Sequence, residues 1–229
     1  MPSAGAEPPL AAEREQVAAA ARTLARQGLV LGTSGNLSAR HGELVAVTPT
    51  GAALADLRAE QVSVVDLDGG LVHGELEPTS ELGLHLGVYG RFDTGAVVHT
   101  HSPVATALSC VVDEVPAVHY TMLALGGAVR VAPYATFGTP ELAGHVLDAL
   151  EGKTAALMAN HGALVHGADM STAVELSQLL EWACTVYWRA ATLGTPRTLD
   201  DKELGAVLTA VLERGYGSVR AAAPDGAPG

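Results

Sequence analysis

Between residues 40 and 75 the chain reads as short apolar runs, each stopped within a few residues by a tight turn. Glu43 to Val47 is a strand stopped by Thr48-Pro49-Thr50-Gly51, and Val62 to Leu67 is another, followed by Asp68-Gly69-Gly70. Strands following one another this closely predict a mixed or mainly antiparallel sheet covered by helices, and not a doubly wound parallel sheet. The rest of the pattern fits that frame. Residues 10–28 form a helix ended by Gly28, and Leu29-Val30-Leu31 reads as a short strand entering the loop Gly32-Thr33-Ser34-Gly35-Asn36. A helix runs from Glu81 to Tyr89 with Thr79 or Ser80 as its N-cap. Gly95 to Thr100 and Thr154 to Ala159 are buried strands. Helices are predicted at Pro103 to Cys110, from Thr139-Pro140-Glu141 onward, at Ser171 to Leu193 capped by Asp169 or Ser171, and at Asp200 to Arg214. The expectation is one α/β domain over residues 10–217, an α/β/α sandwich, with flexible tails at 1–9 and 218–229 that are rich in Pro, Gly and Ala.

Charge narrows the function classes. Lysine plus arginine number 13 against 25 acidic residues, a net charge of −12. A nucleic-acid surface needs a basic stripe, and a membrane anchor of the polybasic kind needs the same, so neither is expected. Nothing at the N-terminus resembles a signal peptide, and the two cysteines, Cys110 and Cys184, lack the spacing of a disulfide scaffold or a thiolate metal site. A cytoplasmic location is the expectation. The cations include only two lysines, Lys153 and Lys202. Both read as solvated, so neither suits a desolvated amine nucleophile.

The sharpest chemical signal is Val97-Val98-His99-Thr100-His101. On a strand, residues i and i+2 leave the same face about 6.5 Å apart, so two imidazoles can converge on one ion. His161, at the turn Asn160-His161-Gly162, is the best third donor, and three histidines suit a zinc ion with an open position. A chance pair on a half-buried strand is the competing reading. Glu81 sits in the first turn of its helix, where it is either an ordinary first-turn acid or, beside an open metal site, a general acid/base. The loops at 32–36, 48–51 and 79–80 are rich in small residues with hydroxyls and free amides, which can wrap a phosphate without a lysine. His85 lies on the same helical face as Glu81 and either supports it or is simply a packed or exposed histidine. His41, His73, His145 and His166 read as surface or turn residues, and Tyr120 as a packed aromatic.

Taken together, Thr33-Ser34-Gly35-Asn36, Thr48-Pro49-Thr50-Gly51, Pro78-Thr79-Ser80-Glu81, His99-Thr100-His101 and Asn160-His161-Gly162 resemble, in order and spacing, the class II aldolase/adducin family. Pro116 to Tyr120 and Ala132 to Thr139 are similar to its aldolases, and the similarity runs from about residue 10 to 217. The resemblance implies one Zn2+ per subunit on His99, His101 and His161, with Glu81 as acid/base and occasional fourth ligand. It implies a phosphate pocket of Gly35, Asn36, Thr50, Gly51, Thr79 and Ser80, a catalytic Tyr120 acting across a subunit boundary, and substrate contacts from Phe137 and Tyr216. It further implies a homotetramer with sites between subunits. The activity implied is reversible cleavage of a ketose 1-phosphate, such as L-fuculose 1-phosphate or a similar deoxy-ketose phosphate, to dihydroxyacetone phosphate and an aldehyde such as L-lactaldehyde. A 4-epimerase of sugar phosphates, a methylthioribulose-phosphate dehydratase and a non-catalytic adducin-like module are the rivals within the same resemblance. Thr79 stands where these aldolases commonly carry serine, and Leu82-Gly83-Leu84 where related enzymes carry bulkier residues.

Overall fold

The computed structural model describes residues 8–214. A single nine-stranded sheet runs through it in the order β4-β3-β2-β1-β5-β9-β8-β7-β6. Its strands are β1 (Asn36–His41), β2 (Leu44–Val47), β3 (Ser63–Asp66), β4 (Leu71–His73), β5 (Ala96–Thr100), β6 (Glu114–Val115), β7 (Val129–Ala132), β8 (Ala155–Met158) and β9 (Gly162–Gly167). Every neighbouring pair is antiparallel except β7 with β8, so the mainly antiparallel sheet read from the sequence is present.

The helices are α1 (Ala11–Arg26), α2 (Leu82–Arg91), α3 (Pro103–Ser109), α4 (Pro140–Ala149), α5 (Met170–Leu193) and α6 (Asp201–Arg214). Strand alternation sorts the sheet's side chains between two helical layers. Leu37 and Ala39 of β1 and Ala96 and Val98 of β5 join Val17, Ala21 and Leu24 of α1 in one core. Val97 of β5, Leu164 of β9 and Met158 of β8 face the other way, against Leu84 and Val88 of α2 and Leu142 and Val146 of α4. A third cluster seats Leu180, Ala183 and Cys184 of α5 and Ala105 and Leu108 of α3 under β8 and β9. The result is the expected α/β/α sandwich, with α1, α3 and α5 on one face and α2 and α4 on the other.

Local chemistry explains most helix ends. Thr139 accepts the Leu142 N–H at 3.3 Å and Pro140 opens α4. Asp169 accepts the Thr172 N–H at 2.7 Å at the start of α5. Four expectations are corrected. Leu29–Leu31 is not a strand: Gly28 adopts φ +74° and the Leu29 N–H returns to the Leu24 carbonyl at 3.0 Å, so Leu29 closes α1. The N-cap position of α2 is Glu81, without a side-chain capping bond; Thr79 Oγ1 instead accepts the Glu81 N–H at 3.3 Å. His166 is a buried β9 residue, stacked on Phe92 at 5.1 Å and hydrogen-bonded to the Lys153 carbonyl at 3.1 Å. Lys153 is half-buried, with its Nζ donating to the Gly126 carbonyl at 2.5 Å. The proposed tails fall largely outside the described residues, as does Tyr216. Among the described residues no helix is long and apolar enough to cross a membrane.

Candidate active site

Asn36 and Ser38 occupy alternate positions of β1, and Val97 and His99 alternate positions of β5, all on the face covered by α2. The two strands pair with Asn36 opposite His99. An isolated bridge between Pro49 and Pro78 joins the 48–51 loop to the start of α2, with the Thr79 N–H on the Thr48 carbonyl at 3.0 Å and the Thr50 N–H on the Glu77 carbonyl at 2.9 Å. Two chain segments 30 residues apart in sequence thereby share one rim, and Glu81 is set directly beneath it.

The rim encloses a cleft of about 480 Å³. Its lining includes Gly35, Asn36, Thr50, Gly51, Thr79, Ser80, Glu81, His101, Phe137 and His161, so nearly the whole residue set read from the sequence is brought together. Among its lining residues there is no lysine or arginine. His99 is fully buried just below. Tyr120 does not line the cleft; it opens the 3₁₀ turn Tyr120–Leu125, is 38% exposed, and its ring lies 4.5 Å from that of His119. The reading of Tyr120 as a packed aromatic is therefore corrected: it stands at the surface.

The three histidines offer nitrogens that all lie within 4.8 Å of one another, with ring centroids 4.8 to 5.1 Å apart. His99 Nδ1–H donates to the Ala163 carbonyl at 2.9 Å, which leaves His99 Nε2 as a bare lone pair. That lone pair faces His101 Nε2 at 2.9 Å and Glu81 Oε2 at 3.3 Å. Glu81 Oε1 lies 3.7 Å from His161 Nε2 and is buried without a hydrogen-bond partner. Converging acceptors and an unpartnered buried carboxylate oxygen are the arrangement a cation satisfies, so the donor set fits a divalent ion held by three imidazoles.

Protonation agrees with that geometry. Burial, opposed by Glu81 and reinforced by the neighbouring histidines, pushes His99 down to about 4, so it is neutral near pH 7. His101 is lowered by burial and by His161. For Glu81, burial acts to raise the pKa, but His99, the Asn36 hydrogen bond and His161 outweigh it and hold the carboxyl below its ordinary value. Glu81 is thus an ionised acceptor beside a neutral His99.

Reasoning from sequence missed two parts of the site. One is Gly162: a Cβ there would collide with the Thr100 carbonyl and lie 3.0 Å from His101 Cδ2 and 3.2 Å from His99 Cε1. The other is the side chain of Asn36, whose Nδ2 donates to Glu81 Oε2 at 2.8 Å in addition to lining the cleft. The triplet Asn160-His161-Gly162 carried the first signal, because Asn160 takes a left-handed φ of +54° that turns His161 toward the strand ends.

Residues 15–188 match the Class II Aldolase and Adducin N-terminal domain family. The chain belongs to the class II aldolase/adducin family. As a member with an intact histidine set it is a metal-dependent lyase. Among its relatives, a 5-methylthioribulose-1-phosphate/5-deoxyribulose-1-phosphate aldolase of Rhodospirillum rubrum is 40% identical over 191 residues, covering 82% of this chain and 86% of that one. A 5-deoxy-D-ribulose 1-phosphate aldolase of Bacillus thuringiensis serovar kurstaki is 36% identical over 195 residues, 84% and 92% of the two chains. The solved structure of an L-fuculose 1-phosphate aldolase superposes with a TM-score of 0.84 at 34% identity, covering 88% of this class II aldolase and 96% of that chain.

Proposed function

We propose that this lyase reversibly joins dihydroxyacetone phosphate to a short aldehyde through a new bond between C3 and C4 of a deoxy-ketose 1-phosphate. The observation that carries the reading is the unpartnered Oε1 of an ionised Glu81 beside three convergent imidazoles, at the foot of a cleft rimmed by neutral phosphate donors. Its substrate is a 5-deoxypentulose 1-phosphate, with acetaldehyde as the aldehyde, a choice supported by the substrates for which the two relatives above are named.

His99, His101 and His161 would hold a divalent ion, for which zinc suits an all-nitrogen site of three imidazoles. When bound, that ion supplies the Lewis acid that draws charge onto the C2 carbonyl oxygen. In the synthetic direction Glu81 removes a proton from C3 of dihydroxyacetone phosphate, leaving an enediolate. Carbon C3 then attacks the aldehyde carbon, and the aldehyde oxygen becomes the C4 hydroxyl on taking one proton. Tyr120 of a neighbouring copy donates that proton; its exposed position on its own chain is compatible with reaching across a subunit boundary in a homotetramer. Cleavage runs the same steps backward, with Glu81 returning its proton to C3. The phosphate lies against Gly35, Asn36, Thr50, Gly51, Thr79 and Ser80 near the start of α2, where the positive end of the helix dipole favours an anion. Phe137 and Tyr216 belong to the same proposal as contacts for the aldehyde end.

The test is to incubate zinc-loaded protein with a panel of ketose 1-phosphates and identify products by mass. Dihydroxyacetone phosphate plus acetaldehyde from 5-deoxyribulose 1-phosphate is expected. Lactaldehyde formed faster from L-fuculose 1-phosphate reassigns the substrate, and an epimer or loss of water overturns the aldolase reading.

A further inference from the structure

Behind Glu81 a line of polar side chains crosses an otherwise apolar core. Asn36 Oδ1 meets His85 Nε2 at 2.5 Å, His85 Nδ1 meets Ser38 Oγ at 2.7 Å, and Ser38 Oγ meets Tyr89 Oη at 2.7 Å. All four residues are buried, His85 and Ser38 completely. Their neighbours on α2 and β5 are Leu84, Val88 and Val97. None of His85, Ser38 and Tyr89 belongs to the three-histidine cluster or lines the cleft.

The polarity of this line follows from its inner end. Asn36 Nδ2 donates to Glu81 Oε2 at 2.8 Å, which turns its carbonyl oxygen toward His85 Nε2. His85 must then carry its proton on Nε2 and accept at Nδ1. Ser38 must donate there, and its remaining lone pair takes the Tyr89 hydroxyl proton. Each donor meets one acceptor and no step is frustrated. Burial pushes His85 down to about 3, so it is neutral and holds one tautomer. Burial also raises the Tyr89 phenol, which keeps its proton.

We infer that His85, oriented by Ser38 and Tyr89, is a positioning residue that fixes the direction of the Asn36 carboxamide and thereby which oxygen of Glu81 is left free for the substrate. Without the His85 N–H, the Asn36 carboxamide is held by its bond to Glu81 alone, and its buried carbonyl oxygen is left without a donor. The inference rests on Glu81 acting as the base, but its physical core can be tested without turnover.

Two measurements on the full-length, zinc-loaded protein decide it. The ¹⁵N spectrum of the imidazoles is expected to show His85 neutral and protonated at Nε2; protonation at Nδ1 overturns the inference whatever the enzyme turns over. In steady-state cleavage of the ketose 1-phosphate identified above, His85→Leu is expected to lower kcat at least tenfold, with KM within twofold and zinc content unchanged. His85→Gln, which keeps an N–H toward Asn36 and an oxygen toward Ser38, is expected to restore most of that kcat. A wild-type kcat in His85→Leu, or a loss that His85→Gln does not rescue, reduces the line to packing and overturns the inference. If His85→Leu does not fold, the wild-type tautomer and the His85→Gln kcat still decide. An Nε2–H tautomer in a protein that cleaves no ketose phosphate leaves the positioning geometry standing and removes the aldolase reading alone.

Discussion

One oxygen of Glu81 is tied to Asn36 at 2.8 Å, and the other is buried with no hydrogen-bond partner. A carboxylate in that state is oriented without being neutralised, which suits a base that must meet a carbon-bound proton. Replacing Glu81 by Gln keeps the volume and an acceptor for Asn36 but removes the basic oxygen. Exchange of the C3 hydrogen of dihydroxyacetone phosphate with D₂O, followed by NMR, is expected to slow by roughly 10²–10⁴-fold. Zinc content should be unchanged, and exchange at the wild-type rate would remove Glu81 from its role. Gly162 is tested the same way at the scale of one methyl group. Its missing side chain is what allows β9 to lie against the His99 and His101 rings. In Gly162→Ala the backbone or the rings must move, at about 1–3 kcal/mol in stability. Zinc affinity, measured by competition with a chromophoric chelator, is expected to fall at least tenfold; unchanged affinity would mean the rings tolerate the displacement.

At the scale of elements, the legible parts of the sequence were those with local causes. Thr139-Pro140 and Asp169 announced α4 and α5 because their capping chemistry lies within three residues. Thr139→Ala is therefore expected to cost about 1 kcal/mol in a denaturant titration, since the Leu142 N–H loses its acceptor. A shift within error would show that solvent replaces the cap fully. Spacing revealed the His99/His101 pair because period two is intrinsic to a strand. What stayed hidden depends on long-range pairing. β1 carries no strand signal beyond the loop that ends at Asn36, because Asn36, Ser38 and Arg40 make the strand polar on one side. Their pattern makes sense only once α2 brings His85 and Tyr89 to that side. β9 was missed because its six buried residues include Gly162, His166 and Gly167, which lack the look of an apolar strand. His166 was taken for a surface residue for the same reason: its partners, Phe92 and Lys153, are 74 and 13 residues away. The small-residue loops are individually ordinary turns, and the Pro49–Pro78 bridge is what joins the 48–51 loop to the start of α2 in one rim.

For the whole molecule, buried neutral histidines link folding to pH. Burial lowers His166, against a hydrogen bond to the Lys153 carbonyl that raises it, and it pushes His85 to about 3 and His99 to about 4. In the unfolded chain all three titrate near 6.5. Below that pH the unfolded state binds protons that the folded state refuses, so stability is complete above about 6.5 and declines as pH falls toward the folded values. Each site contributes a slope of about 1.4 kcal/mol per pH unit within its window. The unfolding midpoint of chelator-treated protein in urea is expected to hold nearly level from pH 7.5 to about 6.5 and to drop from there to pH 5. Divalent metal steepens the fall, because ligation requires neutral imidazoles and stabilises only the folded chain. Zinc-loaded protein should therefore exceed the chelated form in midpoint at pH 7.5, with the gap closing as pH approaches 5. A gap of the same size at both pH values would mean that zinc binds away from the three histidines. A flat midpoint in the chelated form would mean that His85, His99 and His166 take up protons within the fold, and that the core around them opens to water more readily than its packing implies.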